Sequence, residues 1–172
     1  MVPVTASELS SNSKSTLSPT AMGLVLLIPF IRNFPFILHF SDLHLTPARK
    51  TEISDIKSFI DLAPDLVVST GDFLAHLQAV PVALGALDQL LNLPGLFVFG
   101  SNDYYAPKPK NPLKYLLPSH GKRKHGAELP WPDLDKGLQS RGWINLNRSR
   151  ATIKIKDTTI ETRGTDDAHL EF

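Results

Sequence analysis

The chain has 172 residues, of which 42% are apolar and 20% are charged, as in an ordinary globular protein of one domain. Its formal net charge is +1, which gives no general reason to expect nucleic acid or an anionic membrane as a partner. The chain contains no cysteine, so disulfides, thiolate zinc sites and cysteine nucleophiles are excluded.

The first 35 residues differ in character from the rest of the chain. Residues 1–20 are rich in Ser and Thr and show no apolar periodicity, so we expect a disordered leader. The apolar run 21–31 is shorter than the roughly 20 residues that span a bilayer. It is either the core of a signal peptide or a short apolar strand or leader. We expect a cytoplasmic protein, with membrane association or export as the alternative.

Strands and helices alternate along the middle of the chain. Short apolar runs predict strands at 36–40, 66–68 and 96–99. Between them, apolar residues at spacings of three and four predict helices at 49–62 and 80–91. This order is typical of a parallel sheet wound with right-handed crossovers, so the sequence predicts an α/β fold.

Beyond Tyr105 the pattern changes to a proline-rich loop over residues 106–132. A short helix is predicted at 133–140, followed by strands at 143–146, 152–156 and 158–162. The last two strands are separated by a tight turn at Asp157, which predicts a hairpin.

Three short polar segments each close one of the predicted apolar strands. They are Ser41-Asp42-Leu43-His44, Thr70-Gly71-Asp72 and Gly100-Ser101-Asn102-Asp103. Asp42, Asp72 and Asn102 stand 30 residues apart, which is roughly the length of one strand–helix–strand unit. Because parallel strands end at the same edge of a sheet, we expect these side chains to converge there.

Carboxylate and imidazole groups in this pattern predict a metal site. Asp42 and His44 are two residues apart, so in an extended segment they would point to the same side and reach one ion. Asp72 could bridge two ions, and Asn102 offers an amide oxygen. Two metal ions about 3.5–4 Å apart are used in phosphatases and nucleases. A single strand-end Asp more often caps a helix, so the prediction depends on the three segments occurring together.

A glycine precedes the polar residues in two of these segments. We expect Gly71 and Gly100 to let the backbone turn sharply just before each ligand.

The motifs SDLHL (41–45), STGDF (69–73) and GSNDYYAP (100–107) resemble the first three motifs of the calcineurin-like metallophosphoesterases. The resemblance is close to a bacterial branch with a Gly-Ser-Asn-Asp-Tyr-Tyr third motif and extends from about residue 37 to 169. It implies a parallel-centred sheet flanked by helices, the first half of an α/β/β/α sandwich. It also implies metal-dependent hydrolysis of a phosphomonoester or phosphodiester, with a phosphorylated small molecule or a phosphodiester as the substrate.

The resemblance also implies roles for individual residues. Asp42 and His44 would bind the first of two divalent ions and Asp72 would bridge both; manganese or iron is favoured over zinc or magnesium. The usual third motif is Gly-Asn-His-Asp or Gly-Asn-His-Glu, whose Asn binds the second ion and whose His assists the leaving group.

This chain departs from that third motif. Aligned without a gap, Ser101 takes the Asn position and Asn102 the His position. Shifted by one residue, Asn102 is the ligand and Asp103 stands where the catalytic His would be. We prefer the shift, since an amide oxygen is a better metal ligand than a serine hydroxyl. No histidine then stands at the acid position, and Asp103 could act only weakly there unless its pKa were raised.

Family members continue to a lone His and a Gly-His-x-His segment, and neither is recognisable in this sequence. We therefore expect residues 36–172 to be the amino-terminal part of a metallophosphoesterase domain, truncated at its C-terminus. The leading hypothesis is a metal-dependent phosphoesterase. The alternatives are a non-catalytic truncated remnant and a module that binds metal or a partner without turnover.

A basic loop follows the third motif, with cationic residues at Lys108, Lys110, Lys114, Lys122, Arg123 and Lys124. This loop either faces a phosphorylated substrate or keeps a proline-rich surface solvated. We take Tyr104, Lys108 and Lys110 as candidate substrate-binding residues, with core packing as the alternative for Tyr104. The sequence does not indicate an oligomeric state.

Overall fold

A computed structural model of the chain describes residues 34–107 and 126–167. The predicted leader, its apolar run and the lysines Lys108 and Lys110 lie outside these described residues. Within the described ranges, no helix is both long enough and apolar enough to cross a membrane.

A parallel sheet of four strands forms the centre of the fold. Its strands lie side by side in chain order: β1 (Ile37–Phe40), β2 (Leu66–Ser69), β3 (Gly95–Phe97) and β4 (Ile144–Asn145). All three neighbouring pairs are parallel, and β1 and β2 pair Ile37 with Leu66 through to Phe40 with Ser69. The predicted α/β fold is confirmed.

In the described ranges, four helices and a hairpin accompany this sheet. The helices are α1 (Lys50–Ser58), α2 (Ala79–Leu87), α3 (Ser101–Tyr104) and α4 (Trp131–Ser140). The hairpin consists of β5 (Arg150–Ile155) and β6 (Thr158–Arg163), which pair in antiparallel fashion.

The helices begin and end close to the predicted positions, with differences that have local causes. The helix predicted at 49–62 finishes as a 3₁₀ turn over Phe59–Leu62 and stops where Ala63 takes a left-handed φ of 50° before Pro64. The helix predicted at 80–91 likewise continues into a 3₁₀ turn at Leu90–Asn92. The α4 helix starts two residues earlier than predicted, because Pro132 fits the first helical turn, where no backbone N–H is needed.

The two faces of the sheet are covered by different layers. Strand alternation directs Leu38, Phe40 and Val67 into a large apolar core with the helices. The opposite face carries Leu66 and Leu96, which pack against the hairpin side in a smaller cluster that includes Leu146 and Ile155. The resulting order is helices, sheet, hairpin.

A polar contact fixes the hairpin at the edge where the strands begin. Lys156 in the hairpin turn pairs with Asp65, which directly precedes β2. The same carboxylate accepts the Phe36 backbone N–H at 2.8 Å, just before β1. We call this region the amino edge, and the edge at which β1–β4 end the carboxyl edge.

Candidate metal centre

The loops after β1 and β2 are joined by backbone hydrogen bonds at the carboxyl edge. The Asp42 N–H donates to the Gly71 carbonyl at 3.1 Å, and the His44 N–H donates to the Asp72 carbonyl at 2.9 Å. A further parallel bridge joins Leu45 to Leu74. The first two polar segments therefore lie side by side beyond the ends of their strands.

Asp42, His44 and Asp72 form a compact group of possible metal ligands. Each offers one ligand atom, and these atoms all lie within 4.8 Å of one another. His44 Nε2 lies 3.7 Å from Asp42 Oδ1 and 3.9 Å from Asp72 Oδ2. These separations are too long for direct hydrogen bonds, yet they leave room for a cation to contact all three groups. The structure thus brings these three side chains together, as the sequence predicts.

The group is open to solvent on one side. The Asp42 side chain is 54% exposed, whereas the Asp72 side chain is only 17% exposed. An ion held here would therefore be anchored from the Asp72 side and reached from the Asp42 side.

The backbone conformation at these three residues differs from the extended conformation that we predicted. Asp42, His44 and Asp72 have φ angles of 58°, 43° and 59°, so the Asp42–His44 segment is not extended. They are three of the six non-glycine residues with positive φ in the described part of the chain. Such conformations cost of the order of 1–3 kcal/mol each and cluster at functional sites. Asp and His are among the residues that tolerate this region best.

Asn102 lies directly against the Asp72 carboxylate. Its backbone N–H donates to Asp72 Oδ1 at 3.0 Å, and its side-chain Nδ2 donates to Oδ2 at 2.7 Å. A rotation of the terminal amide would exchange its nitrogen and oxygen. Asn102 therefore borders the group, and whether it or Ser101 acts as the third-motif ligand stays a prediction.

The two glycines serve different purposes. Gly71 has a φ of 98°, which agrees with the sharp turn predicted there, and a Cβ would overlap the Gly100 backbone nitrogen. Gly100 has a φ of −100°, so it needs no special backbone freedom. A Cβ at Gly100 would instead overlap Asp72 Oδ1. The second glycine is thus needed to make space for a carboxylate.

Asp103 occupies a position unlike the one expected for a leaving-group acid. Its side chain is 0% exposed, and its carboxylate accepts three backbone N–H groups. Burial raises the pKa of Asp103 to about 7, while the three hydrogen bonds oppose this rise and the neighbouring Asp72 charge adds to it. A carboxyl group with no exposed surface does not reach a substrate, so its placement does not support the acid role.

Tyr104 is also placed differently from a substrate contact. The residue is 7% exposed, and its ring packs against Trp131 and Phe99 with centroid distances of 5.2 and 5.9 Å. Its hydroxyl lies 3.3 Å from both Asn147 Nδ2 and Asp166 Oδ1, and burial raises its pKa. Core packing, the alternative that the sequence left open, describes this position.

A polar network beside the third segment was not predicted. Asn147 Oδ1 accepts the Phe99 N–H at 2.9 Å, and its Nδ2 donates to Asp166 Oδ1 at 2.8 Å. Arg148 Nε lies 3.0 Å from Asp166 Oδ2. One sequence signal was available, since Asn147 follows the strand predicted at 143–146 just as the other polar segments follow theirs.

Comparison with known proteins agrees with these observations. The model of the calcineurin-like phosphoesterase family matches residues 37–170, which include the six strands of the described residues and the three polar segments. A search of curated proteins found no match. Because the match takes in most of the sequence, the chain belongs to the calcineurin-like phosphoesterase family.

Proposed function

We propose that this chain is a metal-dependent phosphoesterase that hydrolyses a phosphomonoester or phosphodiester of a small molecule. One observation carries the proposal: in a chain of this family, Asp42, His44 and Asp72 converge within 4.8 Å beyond the ends of parallel strands. Ligands of open α/β sheets gather at this edge.

The donor set suits a divalent transition-metal ion. Two carboxylates and an imidazole combine hard oxygen donors with one nitrogen, a set that fits manganese, iron or zinc better than it fits magnesium. We propose that Asp42 and His44 hold one ion, that Asp72 bridges to a second, and that Asn102 contributes its amide oxygen. Manganese or iron is the favoured metal.

The protein residues supply binding and orientation. A bound divalent ion polarises a phosphoryl oxygen and lowers the pKa of water, which is the chemistry that such a site needs. The two hydrogen bonds from Asn102 fix the direction of the Asp72 carboxylate. The exposed Asp42 side leaves an approach for a substrate.

The test uses the whole chain with Mn²⁺ and two chromogenic probes, p-nitrophenyl phosphate and bis-p-nitrophenyl phosphate. We expect hydrolysis of at least one probe, with Asp72→Asn lowering kcat/KM by at least about 100-fold because a ligand to both ions loses its charge. The matched control is Asp61→Asn, an exposed carboxylate in the 3₁₀ turn before β2, which should behave as wild type. Absence of hydrolysis, or equal activity in both variants, would refute the proposal.

A second function, metal binding without turnover, also has support. In residues 34–107 and 126–167, the group of candidate ligands contains a single histidine, and Asp103 is not placed as an acid. Titration calorimetry with Mn²⁺ separates the two functions. Binding that Asp72→Asn abolishes, without hydrolysis of either probe, would favour the binding module.

A further inference from the structure

Asp103 is a fully buried carboxylate that the proposed metal chemistry does not use. It belongs to α3, directly after Asn102, and none of its surface is exposed. Burying a carboxyl group is costly unless its oxygens are hydrogen-bonded. The partners that satisfy Asp103 therefore indicate why a carboxylate is present at this position.

Its partners are backbone amides from two different loops. Asp103 Oδ2 accepts the Asp72 N–H at 2.7 Å and the Gly100 N–H at 3.0 Å. Asp103 Oδ1 accepts the Leu74 N–H at 3.0 Å. One side chain thus ties the loop after β2 to the start of the third polar segment.

Two of these bonds bracket the bend that carries a candidate metal ligand. Asp72 has a left-handed φ of 59°, and hydrogen bonds at residues 72 and 74 fix the peptide planes around it. Residues in this region persist only when their surroundings hold them there. The direction of the Asp72 side chain follows from that backbone conformation.

The third bond sets the position of Gly100. Its amide is held to Asp103 while its Cα packs against the Asp72 carboxylate, where no Cβ would fit. The Asp72 side chain is therefore confined between this glycine and the amide groups of Asn102.

We propose that Asp103 is a positioning residue: through the amides of Asp72, Leu74 and Gly100, it holds the left-handed bend that aims the Asp72 carboxylate at His44. The bend itself is independent of the proposed function, whereas its consequence for metal affinity rests on that function.

The test compares two isosteric variants. In Asp103→Asn one acceptor oxygen becomes an NH₂ group, so the variant can keep the amides at Oδ2 or the amide at Oδ1, but not all three. The matched control is Asp65→Asn, because Asp65 also accepts a backbone amide, that of Phe36, at the amino edge of the sheet.

Amide hydrogen exchange by NMR, on protein treated with EDTA, measures the bend directly. In the wild type we expect protection at Asp72, Leu74 and Gly100. In Asp103→Asn we expect exchange to accelerate by about 10-fold or more at the amides that lose their acceptor, which are either Leu74 alone or both Asp72 and Gly100. In Asp65→Asn we expect no change at these three amides, because the altered side chain lies at the amino edge and its remaining oxygen can still accept the Phe36 N–H.

Mn²⁺ affinity, measured by electron paramagnetic resonance, tests the consequence. We expect Asp103→Asn to weaken binding about 10- to 100-fold, as for other groups that orient metal ligands. Asp65→Asn should bind within about two-fold of the wild type, because its altered bond lies at the opposite edge of the sheet. A merely structural role would lower melting temperature in both variants and leave both affinities equal.

The outcomes are distinguishable. Unchanged exchange at the three amides in Asp103→Asn, or equal affinity in the two variants, overturns the proposal. If the wild type binds no Mn²⁺, the proposed function fails, and the exchange experiment still decides whether Asp103 holds the bend. If Asp103→Asn does not fold, amide exchange in the wild type tests the proposal instead. Rapid exchange at Asp72 and Leu74 would then refute it.

Discussion

The two edges of the central sheet use carboxylates in opposite ways. At the amino edge, Asp65 is paired with Lys156, which joins the hairpin to the sheet, and its carboxylate also accepts the Phe36 N–H. At the carboxyl edge, Asp42 and Asp72 crowd around His44. Among the described residues, His44 is the one basic side chain within 4.0 Å of either carboxylate.

This difference separates a structural use of charge from the metal-binding use that we propose. A balanced carboxylate in ordinary backbone geometry, such as Asp65, needs no ligand. Carboxylates that converge through left-handed residues raise the energy of the folded chain, and a bound cation would offset that cost. The contrast can be tested by changing one edge at a time.

The largest effect is expected from Gly100→Ala at the carboxyl edge. The added Cβ would overlap Asp72 Oδ1 and push the carboxylate away from His44, so we expect Mn²⁺ affinity to fall by at least about 100-fold. Calorimetric titration would measure this affinity. The control is Gly85→Ala, in α2, where a Cβ meets no atom within 4 Å and affinity should stay unchanged. Equal binding by both variants would show that the carboxylate does not need this space.

A smaller effect is expected from Asn147→Ala, which removes the acceptor for the Phe99 N–H. The amide left without its partner should lower the free energy of unfolding by about 1–3 kcal/mol. Urea denaturation would measure this loss. The comparison variant is Asn92→Ala, whose side-chain oxygen accepts an exposed hydrogen bond from Arg141 and should cost less than about 1 kcal/mol. Similar losses of unfolding free energy in both variants would show that the hydrogen bond to Phe99 matters no more than an exposed one.

The smallest effect is expected at the amino edge, from Asp65→Asn. The hydrogen bond from Lys156, together with the Phe36 N–H, lowers the pKa of Asp65 below its ordinary value of 3.8. A lowered pKa means that this carboxylate stabilises the fold above about pH 4 and loses that contribution as the pH falls further. Because the pair is partly exposed, we expect less than about 1 kcal/mol.

Urea denaturation of the wild type and Asp65→Asn between pH 2 and 7 would measure this contribution. The difference between the two proteins should shrink on acidification. A constant difference across that range would show that the Asp65 charge does not contribute.

Much of this arrangement follows from local sequence patterns. The strands and the helices α1 and α2 follow from apolar periodicity, and the shared edge follows from parallel strand order. That is why the amino-acid sequence alone suffices to group Asp42, His44 and Asp72. The predicted family and fold are both confirmed.

The details of the site depend on contacts between loops that are distant in sequence. The left-handed bends at Asp42 and Asp72 go with hydrogen bonds to Gly71 and Asp103, and nothing in the local sequence specifies these partners. The burial of Asp103 likewise results from packing between the loops after β2 and β3. A motif aligned by spacing alone cannot distinguish a residue that faces a substrate from one that faces backbone amides.

The left-handed residues of the carboxyl edge also mean that stability and the proposed metal binding oppose each other at this site. Glycine would adopt the same φ angles at Asp42, His44 and Asp72 without strain, yet it would remove every candidate ligand. Selection for a more robust fold alone would therefore erase these side chains.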